Sequence, residues 1–165
     1  DQMIKQGTWW VPTLALVPMS IEYRKKDPAW GKQQLGDEEQ KDDEIHQKMM
    51  TEQLPIWREA VRRGVKIAMG TDQSHRLLVG ENLVELRFMV EYLDMTPMEV
   101  LVSATSKAAE CLGRDDLGTL TAGKLADVLV VKGDPLDDIS ILETRDRLKL
   151  IMKQGSIYTN LLGTE

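Results

Sequence analysis

The hydrophobic and polar positions divide the chain into two parts of different character. Up to about residue 113, stretches with apolar residues at helical spacing alternate with short continuous apolar runs. From Arg114 onward, only short apolar runs remain, and glycine-containing turns separate them. The pattern predicts an α/β fold for residues 1–113 and a small β unit for residues 114–165.

The α/β part begins with residues that resemble the end of a helix, which Gly7 would close as a C′ residue. We therefore expect the chain to be a piece of a longer protein. The aromatic and β-branched run 8–16 predicts a strand, which Pro12 should end or make irregular. Residues 18–36 then predict a long, partly helical loop.

A charged helical stretch is predicted over residues 37–63, with Pro55 inside it as the position of a kink or division. Gly64 should end this helix, and the run 65–72 predicts a buried strand that closes on Gly-Thr-Asp.

Two further helices follow the loop 73–80. Asn82 and Glu85 have the spacing of an N-cap residue and its N3 partner at the start of the first. Thr96 and Glu99 form a stronger capping box for the second, which Gly113 should end. Its expected core face includes four residues near its end, namely Ala104, Ala108, Cys111 and Leu112. In the β part, we expect one helical turn within residues 136–147 and strands at 117–120, 126–132, 148–153 and 156–159.

Composition excludes several classes of function. The 165 residues are 42% hydrophobic and 29% charged, which is typical of a globular protein. The net charge of -6 argues against nucleic acid as a partner, and no apolar run approaches the ~20 residues of a membrane span. The single cysteine excludes an internal disulfide and a CxxC zinc site. Together with the absence of a signal peptide, it favours a cytoplasmic protein.

Asp72 is the candidate for chemistry that the residues themselves suggest. It closes a predicted strand in a helix–strand–helix pattern, and barrels of this kind place catalytic groups at strand tips. It could serve as a metal ligand, a general base or both. An aspartate in such a loop is also commonly a turn former or an N-cap.

Four segments carry a family resemblance, in this order: Ala68-Met69-Gly70-Thr71-Asp72, Gly80-Glu81-Asn82, residues 104–110 (Ala-Thr-Ser-Lys-Ala-Ala-Glu), and a tail that combines residues 117–131 with Gly133-Asp134-Pro135. They resemble the C-terminal portion of metal-dependent amidohydrolases, in the imidazolonepropionase-related and prolidase-like subgroup. The resemblance implies the C-terminal part of a (β/α)8 TIM-like barrel. Residues 8–16 would be strand seven and residues 65–72 strand eight, and the tail would be part of a composite β-sandwich.

The resemblance also implies a metal site of which this chain holds little. In the family, histidines on earlier strands and often a carbamylated lysine bind a divalent metal, most often zinc, and the strand-eight aspartate is the last ligand. Only that aspartate, Asp72, has a counterpart here. A bound divalent ion lowers the pKa of water to about 7, and an aspartate beside it can carry the proton to the leaving nitrogen. We expect this chain by itself to bind no metal.

Two further residues are candidate substrate contacts, namely Thr13 in Val-Pro-Thr-Leu and His75 in the predicted loop after strand eight. The alternative for His75 is a solvated loop residue without a substrate contact. Relatives often show His-Gly-Glu where this chain has Val79-Gly80-Glu81, so His75 does not stand at the position of their histidine. His46 lies in a polar stretch and is expected to be exposed. Cys111 is expected to be a small core residue and not a nucleophile.

The resemblance predicts a hydrolase of C–N bonds in amides, cyclic amides or dipeptides, present here as a C-terminal portion that is inactive alone. Its partners would be a small-molecule substrate and the missing N-terminal part of the same protein or further copies of this chain. One alternative is a non-catalytic or partner-completed oligomeric module, because an incomplete barrel exposes sheet edges. A phosphotriesterase or lactonase of the same superfamily remains open.

Overall fold

The structure, a computed structural model, describes residues 1–26, 38–72 and 80–163. It is a mixed α/β fold, as the sequence predicts. Its α-helices are α1 (Gln2–Gln6), α2 (Leu16–Lys26), α3 (Glu38–Lys48), α4 (Leu54–Arg62), α5 (Val84–Leu93), α6 (Pro97–Ala104) and α7 (Ser106–Cys111). Its strands are β1 (Trp9–Trp10), β2 (Lys66–Ile67), β3 (Val128–Val131), β4 (Leu148–Lys153) and β5 (Ser156–Asn160).

The first helix ends where the sequence predicts, but the first strand is shorter than predicted. Gly7 ends α1 in the left-handed conformation, with φ of 66°, as predicted. The strand predicted over 8–16 is wrong in extent, since β1 covers only Trp9–Trp10 and α2 begins at Leu16. Pro12 has no N–H to donate to a ladder, and the positive φ of Thr13 turns the chain out of the extended conformation.

The predicted division of the charged helix is present, and it precedes Pro55. A π-helical segment, Met49–Gln53, joins α3 to α4. Proline removes one helical hydrogen bond and its ring crowds the carbonyl four residues earlier, which here is that of Thr51 inside the π-helical segment. Wider helical turns accommodate this kind of mismatch.

The strand predicted over 65–72 is also shorter, with regular pairing only at Lys66–Ile67. β1 and β2 are parallel neighbours, with Trp9 opposite Lys66 and Trp10 opposite Ile67. The extended chain continues a little further, because the N–H of Ala68 donates to the carbonyl of Trp10 at 3.1 Å. The next amide, of Met69, donates to the carbonyl of Ser103 at 3.1 Å. Beyond Ala68, the hydrogen-bond partner of this segment is therefore α6 and no longer the segment of β1.

Of the two predicted helix starts, one is confirmed and one is wrong. Thr96 and Glu99 form the full capping box of α6. Asn82 does not cap α5, which begins at Val84 without a side-chain cap. The carboxylate of Glu85 instead accepts hydrogen bonds from the amides of Leu14 and Ala15. The helix predicted up to Gly113 breaks at Thr105, whose φ and ψ of -122° and -92° are not helical. Leu112, predicted to be in the core, is 73% exposed.

The β part contains one antiparallel sheet in the order β3-β4-β5. The three strands lie close to their predicted positions, and two 3₁₀ helices, Ile139–Glu143 and Arg145–Arg147, occupy the predicted helical region. The strand predicted at 117–120 is wrong, because residues 117–119 form bends, with Gly118 at φ 82°, and Leu120 belongs to no regular element.

One apolar core includes residues from both sides of Gly113. Phe88 and Met89 of α5 are fully buried in it, and Ile139 and Leu142 of the first 3₁₀ helix pack into it. Trp10 contacts Trp57 at its margin, with ring centroids 5.8 Å apart. Among the helices that the structure describes, none has the length and apolar composition needed to span a membrane.

Candidate functional site

The carboxyl ends of the two paired strands form the candidate site. Since β1 and β2 run parallel in register, the segments that leave them emerge at the same edge of the sheet. Thr13 follows β1 and Asp72 follows β2 at this edge. Crevices outside the carboxyl ends of parallel strands are the usual place for ligands in α/β folds.

Both residues have an uncommon backbone conformation. Thr13 has φ of 49° and Asp72 has φ of 48°. Aspartate adopts the left-handed region with modest frequency, whereas a β-branched threonine rarely does. Such strain costs about 1–3 kcal/mol and persists only where the surrounding structure imposes it.

The two segments contact each other before they reach these residues. A Cβ added to Gly70 would lie 2.6 Å from Cγ1 of Val11, which is far inside van der Waals contact. Glycine is therefore required for the close approach of the β2 segment to the β1 segment. The contact fixes the distance between the segments just before Thr13 and Asp72.

A second contact fixes the segment just after Thr13. Glu85 of α5 is completely buried, and its Oε1 and Oε2 accept hydrogen bonds from the backbone N–H groups of Leu14 at 2.7 Å and Ala15 at 2.8 Å. Burial raises the pKa of Glu85 to about 7, although both hydrogen bonds act in the opposite direction.

The predicted site residues differ in how far they are buried. Asp72 is exposed and Thr13 is half-buried, so both side chains are within reach of a ligand. His75 lies outside the described residues. His46, predicted to be exposed, is partly buried, with its ring centroid 6.3 Å from that of Tyr92. Burial lowers the pKa of His46, against the opposing effect of Asp43. Cys111, predicted to be in the core, is only partly buried.

The described residues do not form a metal site by themselves. Within residues 1–26, 38–72 and 80–163, no three histidine, cysteine or acidic side chains are grouped as metal ligands. Asp72 offers one exposed carboxylate. Glu81 has a buried oxygen, Oε2, for which the described part of the chain shows no hydrogen-bond partner. These donors are too few for a divalent cation, which takes at least four ligands.

A groove of about 600 Å³ lies at the other end of the strands. Residues of α1 and α4, including Met3 and Ile56, line it together with Val65, which lies between α4 and β2. Because α1 leads into β1 and Val65 leads into β2, the groove lies at the amino ends. It is therefore separate from the edge that carries Thr13 and Asp72.

Glu85 is the residue of this region whose role the sequence analysis missed. Its spacing from Asn82 predicts a local cap, whereas its partners lie 70 and 71 residues away. One signal was present in the sequence. Glu85 lies between Val84 and Leu86, and Phe88 and Met89 follow at the next helical turn, so it is an acidic residue on an apolar face.

Comparison with known proteins identifies a family for this chain. Residues 14–158 match the model of the amidohydrolase family. The chain is 33% identical over 107 residues to ochratoxinase of Aspergillus niger, and 31% identical over 107 residues to imidazolonepropionase of Pyrobaculum arsenaticum. These matches cover 64% and 65% of this chain.

Solved structures superpose on a larger part of the chain than these sequence matches cover. A Xaa-Pro dipeptidase with bound methionine superposes on 97% of this chain with a TM-score of 0.74 and 33% identity. The Aspergillus niger ochratoxinase structure superposes on 94% with a TM-score of 0.68 and 26% identity. Such neighbours imply a TIM-barrel-type fold.

The chain spans only a part of each relative. It covers 22% of the ochratoxinase, 27% of the imidazolonepropionase and 36% of the Xaa-Pro dipeptidase chain. The family match nevertheless includes most of its residues, from the segment after β1 to β5, and the order of motifs predicts the same family. The chain belongs to the amidohydrolase family.

Proposed function

We propose that this chain is the C-terminal portion of a metal-dependent amidohydrolase that cleaves C–N bonds in small amides, cyclic amides or dipeptides. Family membership supports hydrolysis. The similarity to an imidazolonepropionase and to a Xaa-Pro dipeptidase supports C–N substrates. The observation that carries the proposal is the exposed carboxylate of Asp72 beyond the end of β2, on the edge that it shares with the segment after β1.

In this proposal, β1 and β2 are strands seven and eight of a (β/α)8 barrel. Residues 1–113 belong to the barrel domain, and residues 114–165 belong to a β-sandwich domain that other parts of the protein complete. The parallel pairing of β1 with β2 and the antiparallel sheet β3-β4-β5 support this division.

Asp72 is proposed as the metal ligand and the proton-carrying group, and Thr13 and His75 as substrate contacts. The metal, for which zinc is our proposal, would require ligands from other polypeptide, because the described residues offer too few. What this chain contributes is an acidic oxygen whose position the backbone at Gly70 and the left-handed Asp72 determine.

The proposal predicts a difference between the chain alone and the assembled enzyme. The purified chain with added zinc should hydrolyse no member of a panel of dipeptides and cyclic amides. The chain joined to the upstream part of its protein should hydrolyse at least one member, and Asp72→Asn should abolish this turnover without loss of stability. The control is Asp94→Asn, which changes an aspartate that also has positive φ, distant in sequence from the strand ends. Turnover by the chain alone, or full activity in Asp72→Asn, would refute the proposal.

A second candidate function is a non-catalytic or partner-completed oligomeric module. Among the described residues, β1 and β2 pair only with each other, so their outer edges are open to another polypeptide. A defined oligomer in light scattering, combined with a stop codon immediately upstream of the coding region for Asp1, would favour the module. A continuous reading frame that encodes a His-x-His motif would favour the enzyme.

A further inference from the structure

We propose that Glu85 is a positioning residue of the candidate site: by binding the amides of Leu14 and Ala15, it holds Thr13 in place at the edge that also carries Asp72. The inference rests on the proposed function, because it concerns the same site.

The carboxylate of Glu85 is paired inside the protein. Glu85 has no exposed surface, and both oxygens accept backbone N–H groups at 2.7 and 2.8 Å. A buried carboxylate is unfavourable unless hydrogen bonds or cations compensate for its lost hydration. Burial raises the pKa of Glu85, and these two hydrogen bonds act in the opposite direction.

Leu14 and Ala15 lie immediately before α2. The carbonyl of Ala15 accepts the first helical hydrogen bond, from the N–H of Met19, so Ala15 occupies the N-cap position and Leu14 precedes it. Amides at the start of a helix have no partner within the helix. The negative charge of Glu85 also interacts favourably with the positive end of the helix dipole.

Thr13 lies between two contacts of its own segment. On one side, Val11 packs closely against Gly70, since a Cβ added to Gly70 would lie 2.6 Å from Cγ1 of Val11. Leu14 and Ala15 are fixed against Glu85 on the other side. A threonine with φ of 49° requires such constraints from its surroundings. Glu85 supplies the constraint that lies outside the sheet.

Protonation of Glu85 would weaken its contact with the two amides. The ionised carboxylate can accept from both amides, whereas a protonated one carries a hydroxyl that donates and so gives up an acceptor. Burial raises the pKa of Glu85 to about 7. Charged or titratable side chains on α5 and on the elements packed around it include Glu22, Arg58, Arg87, Glu99 and Glu143. Within the described residues, these groups bond one another or other residues and not Glu85. The position of the Thr13 segment should therefore change as the pH passes through neutrality.

The test uses nuclear magnetic resonance of the isotope-labelled chain and needs no catalysis. We expect the amide signals of Leu14 and Ala15 to titrate with a midpoint near pH 7, and the amide signal of Thr13 to follow them. Glu85→Gln should abolish this titration. The matched control is Glu99→Gln, because Glu99 also accepts a backbone N–H, that of Thr96 at 2.8 Å, but on the surface. In Glu99→Gln, the amide signals of Leu14, Ala15 and Thr13 should titrate as they do in the wild type.

The second measurement is made on the assembled, active enzyme. Glu85→Gln should lower kcat by about 10- to 100-fold, in line with the effect of a small displacement in an active site. It should also remove a pH dependence near neutrality that Glu99→Gln retains. Wild-type amides that do not titrate, a titration that persists in Glu85→Gln, or an unchanged kcat in that variant would each overturn the inference. Full activity in Asp72→Asn would overturn the proposed function, and with it the catalytic part of the inference, even if the amides titrate as expected.

Discussion

Replacement of Glu85 by glutamine should change how the stability of the protein depends on pH. The pKa of Glu85 rises from an ordinary 4.5 to about 7 on folding, and the dominant cause is burial. The folded state therefore binds the proton more tightly than the unfolded state. A group of this kind stabilises the folded state fully below its unfolded pKa, and this contribution is lost as the pH rises through the folded pKa.

The difference between the two pKa values corresponds to about 3 kcal/mol, at 1.36 kcal/mol for each pH unit. Between pH 4.5 and pH 8, Glu85 should thus lower the free energy of unfolding of the wild type by about 3 kcal/mol. Glutamine has no proton to lose. It offers one acceptor and places an NH₂ group opposite the other amide, which costs about 1–3 kcal/mol at every pH.

The assay is denaturant unfolding at pH 5, 6, 7 and 8, followed by tryptophan fluorescence. The contact of Trp10 with Trp57 at 5.8 Å provides a signal at the margin of the core. The free energy of unfolding of the wild type minus that of Glu85→Gln should fall by about 2–3 kcal/mol from pH 5 to pH 8. All other titrating groups are common to the two proteins and cancel in the difference.

Glu99→Gln is again the control. The pKa of Glu99 is lowered by hydrogen bonds from the backbone and then the side chain of Thr96. Stability from this group is present above its unfolded pKa and is lost only at lower pH, so the corresponding difference should be flat from pH 5 to pH 8. A flat difference for Glu85→Gln, or one that rises with pH, would refute the reasoning.

Three further predictions concern the contacts that shape the same region. Gly70→Ala should destabilise the protein by about 1–3 kcal/mol through overpacking against Val11. Val11→Ala should relieve much of this loss in the double variant, and an additive double-mutant cycle would contradict the contact. Arg87→Gln removes ion pairs to two glutamates on other elements and should cost about 1–3 kcal/mol in denaturant unfolding, whereas an unchanged midpoint would show that the pairs are dispensable. Thr96→Ala removes the capping box of α6 and should cost about 1 kcal/mol, which thermal unfolding would detect. The exposed Thr119→Ala serves as its control.

Much of the fold follows from short-range patterns. Thr96 and Glu99 are three residues apart and satisfy each other's helix terminus, so their motif needs no tertiary contact to be recognised. The strands β4 and β5 lie where the apolar runs and the turn at Gly155 place them. The helix C-cap at Gly7 likewise depends on one residue that tolerates positive φ.

Errors arose where a local signal competed with a distant partner. The predicted strands 8–16 and 65–72 have strand-like composition, but Thr13 has positive φ and the amide of Met69 bonds to Ser103. Glu85 has the spacing of a cap residue, but its carboxylate accepts from the two amides that immediately precede α2. Propensity is a weak signal that tertiary contacts override.

The sequence by itself determined the family, the α/β character followed by a small sheet, and Asp72 as the candidate for chemistry. These depend on residue types at fixed spacings along the chain. Only the tertiary structure decided that Val11 and Gly70 touch, that Thr13 lies between two fixed points, and that a buried glutamate binds the start of α2. The physical reason is distance along the chain. Contacts between residues about 60 to 70 positions apart are set by how whole elements pack, and no local pattern encodes that arrangement.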